Sequence, residues 1–214
     1  MKANRFFCSA VAPVWSMLVV LFMLLLTGGL AAQTTYRLSP GNPGTLKVVG
    51  TSDLQDWSMT SGEAVSQGEF LFTPNHQLSG VAGFSFSLKA ASLKGPVKAM
   101  NRKAHKALNA KKHPYILFTL HKAEVREGKN NKHQIKGTGS LSINGITQTV
   151  SLELLAEVHP DRSLTLTGTK NLTFTHFLMQ PPSFMGGVMQ AGNDITVEIA
   201  LTFSPAAPQQ IVGQ

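Results

Sequence analysis

Seven histidines, at positions 76, 105, 113, 121, 133, 159 and 176, are the residues of this chain best suited to acid–base or metal chemistry. Their spacing supports neither. None forms the His-Glu-x-x-His arrangement that would set two ligands one helical turn apart, so no metal site is expected. His113, directly before Pro114, reads as structural. The one cysteine, Cys8, excludes a disulfide framework and a cysteine-rich zinc centre. No serine sits in a Gly-x-Ser-x-Gly elbow, and no pair of carboxylates stands in a catalytic setting. The sequence therefore offers no catalytic residue and implies no cofactor.

What recurs instead is apolar. Phe84, Phe86, Ile116, Phe118 and Leu120 fall on alternate positions of two segments. Each is either ordinary core or the wall of a pocket. Trp57 is either a core or rim plug, or a residue at a pocket mouth whose indole N–H is available to a ligand. Asp56 beside it suits a turn former rather than a catalyst.

The elements that would position these residues read as strands. Ala82, Phe84, Phe86 and Leu88 alternate with Val81, Gly83, Ser85 and Ser87, the period of a strand with one buried face. The same alternation runs through Ile116–Leu120, Val150–Val158 and Ile195–Phe203. Weaker strands are expected over Thr45–Ser52, Glu69–Thr73, Gln134–Ile143 and Ser163–Phe174, for a total of about eight. Asn144-Gly145 is a strong hairpin signal, because both residues tolerate positive φ. Gly128–Asn131 and His159-Pro160-Asp161 separate further strands, and such short connections force antiparallel pairing. Met100 to Ala110 breaks the pattern. Met100, Ala104, Ala107 and Leu108 share one face of a short helix, Arg102, Lys103 and Lys106 take the other, and Pro114 bars continuation. About eight antiparallel strands suit an all-β sandwich or a closed barrel. At that size a barrel interior either fills with side chains or holds one small ligand.

The apolar content is unevenly spread. Residues 1–32 carry Lys2 and Arg5, an apolar run from Met17 to Leu26, and a small-residue exit ending in Ala31-Ala32. These are the three parts of a cleaved signal peptide. The longer stretch Phe6–Leu26 approaches the roughly 20 residues of a membrane anchor, but Pro13 and Ser16 interrupt it. Cleavage after Ala31 or Ala32 would leave an exported, thiol-free domain over 33–204 and a mobile tail over 205–214, periplasmic or secreted. Charge is lopsided as well. Between Lys89 and Lys136 there are thirteen Lys and Arg against two acids, Glu124 and Glu127. That stretch is either a solvated face or a surface attracted to anionic membrane or to a phosphate-bearing ligand head. Nucleic acid is not expected as a partner, because no basic motif is interleaved with aromatic residues.

Four segments, in order, resemble the YceI family of exported lipid-binding proteins. They are Gly50-Thr51-Ser52 through Asp56-Trp57, Met100-Asn101-Arg102-Lys103-Ala104-His105 through His113-Pro114, Gly139-Ser140-Leu141-Ser142-Ile143-Asn144-Gly145-Ile146-Thr147, and Pro181-Pro182 through Asp194–Val197. The resemblance spans nearly all of residues 36–203. It implies an extended lipocalin-like antiparallel β-barrel with a helix near residues 100–110 beside it. It also implies an elongated pocket for an amphiphile with an isoprenoid or acyl tail. Trp57, Phe84, Phe86, Ile116, Phe118, Leu120 and Leu108 would then line or gate that pocket. Gln55 stands where the family has a histidine before Asp-Trp, and is the candidate contact for a head group. Glutamine keeps hydrogen bonding there but loses the titrating charge. The expected function is a non-enzymatic carrier or sequestering protein. A lipid-modifying enzyme using the same cavity and a filled barrel acting as an interaction module are the alternatives.

Overall fold

Asn144 and Gly145 have φ of 55° and 77°, the left-handed pair that a two-residue hairpin requires. In the computed structural model, which describes residues 33–184 and 187–206, this turn joins β7 (Lys132–Ile143) to β8 (Ile146–Val158). The two strands pair without a break from Ile143↔Ile146 to Lys132↔Glu157. The putting-together of the rest follows the same antiparallel logic. In chain order the other elements are β1 (Gln33–Leu38), β2 (Gly44–Ser52), β3 (Trp57–Ser61), β4 (Ala64–Phe72), β5 (Leu78–Lys89), α1 (Lys98–Ala107), β6 (Tyr115–Glu127), β9 (Leu164–Thr173), β10 (Ser183–Phe184) and β11 (Met189–Pro205). The leader and residues 207–214 lie outside the described residues.

Strands β1-β4-β5-β6-β7-β8-β9-β11 pair in that order, and β11 pairs back to β1. The result is a closed eight-stranded antiparallel barrel with additional strands, the lipocalin-like architecture the sequence led us to expect. Closure pairs every strand of the ring with two neighbours, although β8 and β9 share only a short ladder, from Leu154↔Gly168 to Val158↔Leu164. The long β11 makes it possible. One edge pairs β9 from Asp194↔Thr173 to Phe203↔Leu164. The other pairs β2 from Ala191↔Ser52 to Leu201↔Gly44, then β1 from Leu38↔Phe203 to Tyr36↔Pro205. Pro40 and Pro43 lie between β1 and β2, where neither can donate to a ladder. The chain therefore leaves the β11 edge there and returns to it. β1 closes the ring at one end, and the β2–β3 hairpin flanks the other.

The two ends differ inside. At the first, Tyr36, Phe70, Ile135, Leu164, Leu166 and Phe203 are buried together. Tyr36 meets Phe70 edge-on with ring centroids 5.2 Å apart, and Phe70 and Phe84 lie 5.9 and 5.8 Å from Phe203. Such pairs add about 0.5–1.5 kcal/mol each beyond area burial. At the second end, buried residues from β7, β8 and β9 and from β2, β3 and β5 form two separate groups rather than one.

Strict alternation holds along β8 and β11 but slips in β5. The register shift between Gln67 and Glu69 places Val81 rather than Ala82 against the filled end, and the shift between Leu71 and Phe72 turns Leu78 inward again. One extra residue reverses which side chains face inward. The helix starts two residues before the expected Met100, at Lys98, and stops short of Ala110. It ends at Ala107, with Leu108 as its cap, and Asn109 leaves it in the left-handed region at φ 48°. β1 and β3 were not foreseen. β3 reads Trp-Ser-Met-Thr-Ser, and its inward Ser61 is buried because its hydroxyl meets Ser92 Oγ at 2.7 Å.

Candidate functional site

Between the two buried groups of the second end lies a cavity of about 170 Å³. That is more than ten times the roughly 10–15 Å³ that admits one water on this measure. Inward positions of β2, β3, β5, β6, β7, β8, β9 and β11 form its wall, and α1 closes one side with Met100, Ala104, Ala107 and the capping Leu108. Among the lining residues only Lys170 is charged. Phe84 joins the two ends. It packs on Phe70 and Phe203 of the filled end, and it lines the cavity as its floor.

Six of the residues singled out in the sequence come together here: Trp57, Phe84, Phe86, Leu108, Ile116 and Phe118 all line the cavity. Two do not. Leu120 packs on the neighbouring apolar group, above Gly137, whose lack of a side chain makes room for it. Gln55 is exposed in the β2–β3 turn, where its carbonyl accepts from the Ser52 hydroxyl at 2.6 Å. Trp57 lines the wall, but its indole N–H donates to the Thr51 carbonyl at 2.9 Å. The ring lies flat over Gly50, where any Cβ would collide with it. Lys170 escaped the sequence reading. Its signal was its register, since it falls on the same face of β9 as Leu166 and Leu172.

The segments that carry the family resemblance hold this wall in place. Asn101 Oδ1 accepts from the Gly95 N–H at 2.7 Å, Asn101 Nδ2 donates to the Gly95 carbonyl at 3.2 Å, and His105 Nε2 meets the Leu93 carbonyl at 2.8 Å. These bonds pin a helix that has no fully buried residue of its own. His113 lies against Gly145 of the β7–β8 turn, so only glycine fits there. On the outer face of α1, Lys98, Arg102, Lys103 and Lys106 are exposed with no acidic residue among them.

Titratable groups are sparse within. His133 is fully buried at the filled end, and neither ring nitrogen meets a hydrogen-bond partner among the described residues. Burial pushes its imidazole below the ordinary histidine range, against the opposing pull of Glu127. Among the described residues no three His, Cys, Asp or Glu side chains group so as to hold a metal ion.

An eight-stranded closed barrel around one apolar cavity defines a class of barrels that enclose small ligands. The YceI-like domain matches residues 43–203, and this chain belongs to that family. No curated protein matches it. Solved structures share its fold. BcnA of Burkholderia cenocepacia superposes with a TM-score of 0.56 at 17% identity, over 73% of this chain and 95% of that one. A YceI protein of Campylobacter jejuni gives 0.53 at 16% identity, over 79% and 88%. A polyisoprenoid binding domain from Saccharophagus degradans, implicated in plant cell wall breakdown, gives 0.58 at 9% identity, over 81% and 99%.

Proposed function

We propose that this protein is a non-enzymatic carrier or sequestering protein that holds one long-chain amphiphile, with an isoprenoid-like or acyl tail lodged in the barrel. The apolar cavity carries this reading. At about 24 cal/mol per Å³, keeping roughly 170 Å³ unfilled costs the fold on the order of 4 kcal/mol, which a bound tail would recover. Each buried methylene contributes about 0.8 kcal/mol, so a five-carbon isoprene unit gives roughly 3–4 kcal/mol. A few units offset association costs of roughly 4–15 kcal/mol without any polar contact. The similarity to the Saccharophagus polyisoprenoid binding domain favours the isoprenoid class. The void also favours a carrier over a filled interaction module.

The basic leader with its apolar run supports export to the periplasm or beyond. Contact with an anionic membrane surface would fit the loops at the cavity end. Leu54, Val97, Leu178 and Val188 are exposed at 66%, 54%, 74% and 75%, and Val97 directly precedes α1, whose outer face is basic. Apolar side chains that insert and lysines that attract anionic lipid act together in such contacts. Flotation with vesicles of anionic lipid should lose Leu178→Asp while retaining the parent chain, and equal flotation of the two would remove this part of the proposal.

The test of the carrier reading is to purify the protein from its own cells, extract it with organic solvent and identify the lipid by mass spectrometry. One isoprenoid or acyl compound per chain is expected. Turnover of that compound on incubation would replace the carrier reading with an enzymatic one.

A further inference from the structure

Lys170 occupies an inward position of β9 between Leu166, which is 3% exposed, and Leu172, which is 7% exposed. A lysine on that face has its stem against the cavity wall and must carry its ammonium toward water or an anion. The ion pairs of the described residues engage Lys47, Lys94, Lys122, Lys132 and Lys136. Lys170 takes part in none of them, and no described acceptor meets it.

The β8–β9 ladder ends beside this residue. β8 and β9 pair only from Leu154↔Gly168 to Val158↔Leu164. Beyond that point β8 stays in its ladder with β7 as far as Ile146, and β9 stays with β11 as far as Thr173. Residues 146–153 and 169–173 therefore face each other across a split with no ladder. At its far end the turn Thr175–Phe177 bridges it. Gln148 Nε2 donates to the His176 carbonyl at 3.1 Å, and Asn144 Nδ2 donates to the Phe177 carbonyl at 3.4 Å. Between that turn and the last β8–β9 pair, Val150 and Leu152 of one lip and Lys170 and Leu172 of the other all line the cavity.

We infer that the ligand is an anionic amphiphile whose head group lodges in the β8–β9 split against the Lys170 ammonium, with its tail in the cavity. The inference rests on the carrier reading above and adds the charge class of the ligand and the residue that selects it. The wall leaves a charged head no place within, so the head belongs at an opening. The lips supply one, with a cation that has no partner among the described residues and unpaired strand edges whose N–H groups also suit an anion. Tail length is then read by the cavity, and head charge by one side chain. A carboxylate and a phosphate share this chemistry.

The experiment compares four probes on the full chain: farnesyl phosphate against farnesol, and hexadecanoate against hexadecanol. Dissociation constants come from competition with a fluorescent fatty alcohol. The parent chain should prefer at least one anion over its alcohol by roughly 10-fold or more, in keeping with a charge-assisted hydrogen bond. The pair with the larger ratio tells phosphate from carboxylate. Lys170→Met should bring the ratio to about 1, and Lys170→Arg should retain it. Equal affinity of the parent chain for anions and alcohols would overturn the inference while leaving the carrier reading intact. An anion preference that survives in Lys170→Met would overturn the role of this residue. Failure of all four probes to bind would overturn the carrier reading and this inference with it.

Discussion

One barrel encloses two different interiors. At the end closed by β1, the rings of Tyr36, Phe70, Phe84 and Phe203 interlock, and the side chains fill the ring as a core does. At the end flanked by β2, β3 and α1, residues of the same apolar kind stop short of one another and leave a void. The difference is not one of composition. It comes from where the sheet is allowed to close. β1 draws the ring tight on one stretch of β11, whereas the other end has a split between β8 and β9 and a helix laid over its side. Apolar sequence sets which face turns inward. Strand pairing sets whether that face meets a partner.

The sharpest way to break this contrast is to hollow out the filled end. Phe203→Ala should cost about 3–5 kcal/mol in urea unfolding, because Phe203 is wholly buried against two rings. A cost near 1 kcal/mol would mean that this end is not the packed core described here. The converse experiment fills the hollow end. Val197→Phe should change stability by less than ~1.5 kcal/mol, where overpacking a tight core costs about 1–3 kcal/mol. It should also weaken lipid binding roughly 10-fold or more, since Val197 lines the cavity. Unaltered binding would separate the cavity from the ligand site.

A third prediction concerns His133, whose ring is buried at the filled end without a partner among the described residues. The unfolded chain takes up a proton near the ordinary value of 6.5, while the folded chain resists because burial disfavours the imidazolium. The unfolded state thus binds more protons below that value. The stability from this residue is complete above about pH 6.5 and declines as the pH falls through it. His133→Leu should raise stability by about 1 kcal/mol at neutral pH and shallow the decline on acidification, as followed by urea midpoints at several pH values. An unchanged pH profile would show that the ring already has a partner. The smallest effect is expected at the cavity rim. Leu108→Ala removes an apolar contact from the helix cap and should speed ligand exchange several-fold in stopped-flow displacement, and unchanged exchange would count against α1 as a gate.

Much of this was legible in the sequence, for reasons that differ by residue. The alternation along Val150–Val158 and Ile195–Phe203 specified strands with an inward face, and the Asn144–Gly145 turn specified the antiparallel pairing of β7 with β8. Trp57, Phe84, Phe86, Ile116, Phe118 and Leu108 were named as pocket candidates, and the fold brings them around one void. Alternation alone could not say that they leave a void, because that depends on tertiary closure. Bulges were invisible for a related reason. The register shifts in β5 and β6 follow from the partner strand, so Val81 in place of Ala82 could not be read locally. Gln55 was singled out by its place in a motif whose other residues shape the turn: Gly50 makes room for Trp57, and the Ser52 hydroxyl donates to the Gln55 carbonyl. Lys170 was missed because a single lysine in Thr-Gly-Thr-Lys-Asn looks like solvent-facing sequence until its register with Leu166 and Leu172 is counted.

The central claim, that the hollow end takes a long-chain ligand, is most directly tested through Trp57. This residue lines the cavity, and the other tryptophan is Trp15. In a Trp15→Phe chain, titration with farnesyl phosphate and with hexadecanoate should change Trp57 emission saturably, at one ligand per chain, for at least one of the two. Emission unmoved by both, from a folded and delipidated chain, would contradict the claim.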